Sequence, residues 1–383
     1  MGRPANATID LDALRHNYRV AQQLSGNGQA IAVVKADAYG HGAIACATAL
    51  ADIASGFAVA CIEEALELRA AGIRQPVLLL EGFYDAVELN NIDEYQLDIV
   101  IHHQYQVDAL LSYNFKNPIR VWLKMDSGMG RVGFAPEVYR SVWEQVNSHQ
   151  SVCDIVLMTH FACADEVENA HARRQLETFN EHTMGLPGDR SLCNSAALVA
   201  LSEARGQWNR LGLLLYGVSP FPESCNVLPE LKPVMELSSA IISIKEVPAG
   251  SSVGYGSQWI ASRPTRLGVV AMGYADGYPR HAANGTPVLI NGHKVPLVGR
   301  VSMDMLTVDL TGIPGVKVGD RAVLWGKGLS INEVAEGAST IPYQLLCNLN
   351  RVPVHYVSED VYENTSKNAA ETSTLLFEPS VDS

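Results

Sequence analysis

A chain of 383 residues is too long for one core of ordinary size and fits two domains, or a barrel with an addition. With 47% hydrophobic and 18% charged residues it is globular, and a net charge of −13 with a pI near 5.3 excludes a general nucleic-acid or anionic-membrane surface while leaving room for a local basic pocket. No apolar run reaches the about 20 residues of a membrane helix, and "MGRPANATIDLDALRHN" turns polar and helical instead of forming a leader, so a cytoplasmic protein is expected.

In chain order, "DLDALRHNYRVAQQL" predicts a helix capped by Asp10 or Asp12, with Leu11, Leu14, Tyr18 and Ala21 on one face. Short apolar runs then recur: "AIAVVKA", "GFAVA", "PVLLLEG", "LDIVI", "IRVWLKM", "DIVLMTHF", "RSLCNS" and, weakly, "WNRLG". Amphipathic stretches such as "CIEEALELRAAG" and "PEVYRSVWEQVN" separate them. Continuous rather than alternating apolar character suits parallel strands covered on both sides. Eight such units predict an α/β fold, a (β/α)8 TIM-like barrel over residues 1–230, with a doubly wound sheet as the competing arrangement. Past Leu231, β-branched runs between Gly, Pro and Asn turns predict a mostly antiparallel β domain over 231–365, with one short helix at "SINEVAEGA" and a hairpin turning at Asn291-Gly292. The stretch 366–383 is expected to be a flexible tail. Seven scattered cysteines, with no CxxC pair, read as reduced thiols and not as a metal site.

Barrel chemistry sits at the C-terminal ends of the strands. Those ends carry Lys35, Lys124, His160, Asn194, Ser195, Arg210 and Gly212. Each has a bland reading alone: Lys35 as a solvated turn residue, His160 as a structural histidine, Ser195 as a helix cap, Arg210 as a rim salt bridge. Together they suggest more. A partly desolvated lysine suits Schiff-base chemistry, and the last two βα loops, "CNSAA" and "NRLGLLLYG", are where barrels commonly bind phosphate. A lysine with a phosphate cradle points to pyridoxal 5'-phosphate.

"AVVKADAYGHG" resembles the cofactor-attachment motif of the alanine racemases, and "LKMDSGMGRVGF", "MTHFACAD", "CNSAA", "VGYG", "GYADGY" and "GRVSMDMLTVD" resemble that family's other segments in the same order, over about residues 8–355. The resemblance implies interconversion of L- and D-alanine by two bases. Lys35 would hold pyridoxal phosphate and act as one base, and Tyr255 would be the other, aided by His160 and Arg210. Arg210 would face the pyridine nitrogen. Tyr39, Ser195, Gly212 and Tyr343 would hold the phosphate, with Asn194 supporting that loop. Arg131 would meet the cofactor phenolate and the substrate carboxylate. Met303 and Asp304 would contribute to the substrate site, and Tyr274 would narrow its entrance. Lys124 would be carbamylated. Lys35 and Tyr255 would come from different subunits of a homodimer. A racemase preferring serine or of broader specificity is the nearest alternative. A basic amino-acid decarboxylase on the same architecture would want a glycine-rich phosphate loop and an acidic partner for the ring nitrogen, and this sequence shows neither; a non-catalytic pyridoxal-phosphate carrier would need no second base.

Overall fold

The computed structural model describes residues 2–221 and 230–358; the tail expected at 366–383 lies outside the described residues, as does Cys225. The chain begins with a strand, β1 (Asn6–Asp10), before its first helix, Leu11–Leu24. Asp10 caps that helix, its carboxylate accepting from the Ala13 N–H at 2.8 Å. Strands and helices then alternate through β2 (Gln29–Val33), β3 (Gly56–Val59), β4 (Val77–Leu79), β5 (Asp98–Ile101), β6 (Ile119–Lys124), β7 (Val152–Met158), β8 (Arg190–Ser191) and β9 (Trp208–Leu211).

These eight strands form one parallel sheet in the order β8-β7-β6-β5-β4-β3-β2-β9. Because β9 returns to pair with β2, Gln29 opposite Trp208 and Ala32 opposite Leu211, the sheet curls into a nearly closed barrel. At the seam between β8 and β9 the Arg210 N–H reaches the Cys193 carbonyl at 3.0 Å. Gly56 to Val59 are all buried, as strands between a filled interior and outer helices must be. The apolar runs of the sequence are therefore the eight barrel strands, including the weakly marked last one.

The second sheet is built on the long β10 (Met235–Val247). Along the chain follow β11 (Ser252–Val253), β12 (Trp259–Ile260), β13 (Thr265–Val270), β14 (Pro287–Ile290), β15 (His293–Pro296), β16 (Leu306–Asp309), β17 (Arg321–Trp325) and β18 (Val354–Val357). β10 pairs antiparallel with β1, β13 and β17. The β14–β15 hairpin turns on Asn291 (φ 49°) and Gly292 (φ 79°), the positive pair that a twisted two-residue turn requires.

Two elements differ from the sequence expectation. The residues before the first helix are not a helical lead-in: β1 lies between β10 and β18, so the chain starts in the second sheet and then enters the barrel. Its buried Ala7 and Ile9 alternate with part-buried neighbours, a period too brief to recognise over five residues. The β domain also has a second helix, Pro342–Cys347, after Ile331–Gly337. It opens on proline, a favoured first helical residue, but is too short to show a 3.6-residue period.

Candidate active site

At the end of β2 the backbone does something that the residue types do not advertise. Ala36, Asp37, Ala38 and Tyr39 have φ of 51°, 52°, 53° and 53°, a left-handed turn completed by Gly40 at 75°. Such a conformation costs a non-glycine residue about 1–2 kcal/mol, so the surroundings must enforce it. Glu64 accepts from the Ala36 N–H and the Ala60 N–H, each at 2.7 Å. Asp37 accepts from the Ala43 N–H at 2.7 Å. His41 Nδ1 lies 2.9 Å from the Ala38 carbonyl and 3.0 Å from that of Tyr39; burial holds its imidazole down to about 4, so the ring is neutral and Nδ1–H donates. Its ring stacks on Tyr216 at 4.4 Å, and Tyr216 in turn lies 5.0 Å from Tyr39 and donates to the Val33 carbonyl at 2.8 Å. Gly40 is obligatory, because a Cβ there would lie 2.3 Å from the Leu346 carbonyl oxygen.

The strand ends surround a cavity of about 640 Å³. Of the residues singled out in the sequence, Lys35, Tyr39, Lys124, Arg131, His160, Asn194, Ser195, Arg210, Gly212 and Tyr343 all line it. Tyr343 arrives on the Pro342–Cys347 helix of the second domain, its ring 5.6 Å from that of Tyr39. Burial raises both phenols, Tyr343 to about 12, so each keeps its hydroxyl proton.

One end of the cavity is a nest of donors. Ser195 Oγ accepts from the Gly212 N–H at 2.9 Å and the Leu214 N–H at 3.3 Å. Asn194 caps the helix Ser195–Ala200 by accepting from the Ala197 N–H at 3.0 Å. A Cβ on Gly212 would enter this nest, 3.1 Å from Tyr39 Oη and 3.6 Å from Ser195 Oγ.

Arg210 lies in the wall, 4% exposed. Its Nη1 donates to Ser191 O (2.8 Å) and Ser191 Oγ (2.7 Å), and its Nη2 to Thr159 O (2.8 Å), Leu192 O (3.2 Å) and His160 Nδ1 (3.2 Å). Burial lowers it to about 10, still a cation at neutral pH. Among the described residues no acceptor meets Nε, which leaves one guanidinium donor unassigned. Burial, then the charges of Arg210, Lys124, Arg131 and Lys35, hold His160 well below its ordinary value. A guanidinium can only donate, so His160 Nδ1 is the acceptor and the ring proton sits on Nε2.

Lys124 ends β6, and burial, reinforced by Arg210 and Arg131, pushes its ammonium down to about 7. Arg131 rides on a loop anchored to that strand end: Phe134 N–H donates to Lys124 O and Asp126 N–H to Phe134 O, both at 2.9 Å. Asp126 Oδ1 accepts from the N–H groups of Gly128, Met129 and Gly130 at 2.9–3.0 Å.

Tyr255, Tyr274, Met303 and Asp304 are not among the residues lining the cavity. They occupy loops of the β domain, where Tyr255 is 67%, Met303 52% and Tyr274 38% exposed. The Asp304 carboxylate pairs with Arg351 at 2.8 Å. Sequence reasoning missed Glu81, Tyr84 and His102, at the ends of β4 and β5, and Cys347, all of which line the cavity. Glu81 and His102 follow apolar strands as Lys35 does, and reading every strand end alike would have found them.

The family models for the alanine racemase N-terminal and C-terminal domains match residues 9–220 and 234–356. The chain is similar to an alanine racemase from Pseudomonas taetrolens, 53% identical over 93% of this chain and 100% of that protein, and to a catabolic alanine racemase from Pseudomonas putida with the same figures. Among solved structures, the biosynthetic alanine racemase from Pseudomonas aeruginosa superposes with a TM-score of 0.90 at 48% identity, over 93% of this chain and 100% of that one.

Proposed function

We propose, from the premise that this chain belongs to the alanine racemase family, that its cavity binds pyridoxal phosphate and that two such sites operate in a homodimer. The enzyme is an isomerase that interconverts L- and D-alanine. The carrying observation is the single cavity that joins Lys35 to a donor nest and to a buried arginine with one free N–H.

The residues fit this cofactor. A dianionic phosphate suits the hydroxyls of Ser195, Tyr39 and Tyr343; the Gly212 N–H, which donates to Ser195 Oγ here, would turn to the phosphate, and the nest has room for it because Gly212 lacks a Cβ. Asn194 orders this helix terminus. Lys35 is the amine that would hold the group. When bound, pyridoxal phosphate supplies an electron sink for the pair left at the substrate Cα as its proton departs.

The chain's own residues do the rest. Arg210 Nε–H would meet the ring nitrogen as a donor, which keeps that nitrogen unprotonated; His160, neutral, accepts from Arg210 and holds it in place. Arg131 offers a bidentate fork to the substrate carboxylate, and the Met303 N–H would assist. Lys35 takes or returns a proton on one face of Cα. Inversion requires a second group on the other face, and Tyr255 is assigned to it. Its exposure on a segment that does not line this chain's own cavity is what a residue serving the partner subunit's barrel would show. Tyr274 narrows the approach and Asp304 shares that edge.

Lys124 is assigned as a carbamate. An amine held near neutrality can add carbon dioxide and release a proton, and the resulting anion would balance the Arg131 and Arg210 charges. The division into a barrel over 1–230 and a β domain over 231–365 belongs to the same reading; the family models break between 220 and 234. A cytoplasmic location accords with the finding that among the described residues no helix is long and apolar enough to cross a membrane.

The test follows optical rotation of L-alanine, L-serine and L-lysine with the cofactor added. Racemisation of alanine that disappears in Lys35→Ala supports the proposal; turnover that persists in Lys35→Ala refutes it, and a preference for serine or lysine favours the broader-specificity reading.

A further inference from the structure

Away from the cavity, one charge cluster joins the two ends of the described chain. Asp276 is fully buried, and its Oδ2 accepts from the Gly273 N–H at 2.9 Å and from Arg3 Nη2 at 2.6 Å. Its Oδ1 accepts from Arg3 Nη1 and, at 3.2 Å, from Arg351 Nη2. Arg351 also donates to Asp304 Oδ1 at 2.8 Å and to Ala275 O at 3.2 Å, while Arg3 reaches Asp304 O at 2.8 Å.

The cluster straddles two loops. Tyr274 N–H donates to Ser302 O and Ala275 N–H to Met303 O, both at 3.0 Å. Gly273 is pressed against the second loop so closely that a Cβ would sit 2.3 Å from Met303 O. Yet Tyr274 and Met303 project into solvent, and exposed loops of this kind sit at the low-stability end of a fold. Little apolar packing holds these side chains, so the polar network is what can hold the loops in register.

We propose that Arg3 and Arg351 are positioning residues: through Asp276 and Asp304 they fix the Tyr274 phenol and the Met303 backbone relative to one another. This rests on the reading of that edge as the substrate-facing half-site. Each arginine is redundant for neutralising Asp276, so removing one leaves a folded protein with a looser edge. Lysine at either position keeps the charge but not the fork that engages two carboxylates or a carboxylate and a carbonyl together.

The experiment uses the holoenzyme with Arg3→Gln and Arg351→Gln, and with lysine at each position. Hydrogen exchange over 273–277 and 302–305 should quicken about tenfold. KM for L-alanine should rise about tenfold with kcat within about twofold, the sign of weakened uniform binding. The lysine variants should recover part of both changes, and the bound-cofactor absorbance should not change. Exchange that stays at the wild-type rate overturns the clamp. Faster exchange with an unchanged KM overturns the assignment of this edge to substrate, and with it the positioning role. Loss of cofactor together with kcat shows a structural role only and also overturns the proposal.

Discussion

Replacing Lys124 by methionine tests the electrostatics of the cavity quantitatively. The side chain is 5% exposed, and among the described residues no carboxylate lies within ion-pair distance of its ammonium. An ordinary lysine titrates near 10.5 and this one near 7, because burial and then Arg210 and Arg131 disfavour its charge. At 1.36 kcal/mol per pH unit the gap corresponds to about 5 kcal/mol. Below about pH 7 the native and unfolded chains both carry the proton, and the whole penalty opposes folding. Between about pH 7 and 10.5 the unfolded chain holds a proton that the native chain has released, so stability rises with pH by about 1.4 kcal/mol per unit. Above that range both forms are neutral and the penalty is gone. Lys124→Met removes the titrating group at similar side-chain length. Denaturant unfolding of cofactor-free protein, purged of carbon dioxide to keep the amine unmodified, should show wild type gaining on the variant by about 1.4 kcal/mol per unit from about pH 7.5 to 9.5. The variant should be the more stable near neutrality. Parallel stability curves over that range would refute the reasoning.

Gly212→Ala places a methyl group 3.1 Å from Tyr39 Oη; folding should be almost unchanged, while cofactor affinity measured by absorbance titration falls about 10–100-fold through lost or lengthened phosphate hydrogen bonds. Asn194→Ala removes the acceptor for the Ala197 N–H and should lower unfolding free energy by about 1 kcal/mol, read by denaturant titration. Glu64→Gln replaces one of two carboxylate oxygens that receive the Ala36 and Ala60 N–H groups by an amide donor; a loss of about 1.5–3 kcal/mol is expected, with faster proteolysis within 35–42.

What the sequence disclosed depended on the range of each interaction. The barrel strands were readable because burial on both faces writes apolar character into consecutive residues, and even the weakly marked β9 kept its order. Lys35, His160, Asn194 and Arg210 could be singled out because chemistry in a barrel concentrates at strand ends. The left-handed turn was hidden: "ADAY" contains no glycine, and beside the local bonds from His41 the conformation is imposed by Glu64 and Tyr216 from elsewhere in the chain. β1 was hidden because its partners are β10 and β18, at the far end of the sequence. The Arg3–Asp276 pair spans a separation of 273 residues, and no local pattern could announce it. The helix carrying Tyr343 is six residues long, short enough to escape a periodicity search.

The central claim is that each site takes Lys35 from one chain and Tyr255 from another. Mixing Lys35→Ala with Tyr255→Phe protein, after dissociation and reassociation, tests it directly. Each mixed dimer would then hold one intact site, so racemisation of L-alanine should recover to about a quarter of the wild-type rate at random pairing. A mixture as inactive as its two separate components would contradict the account.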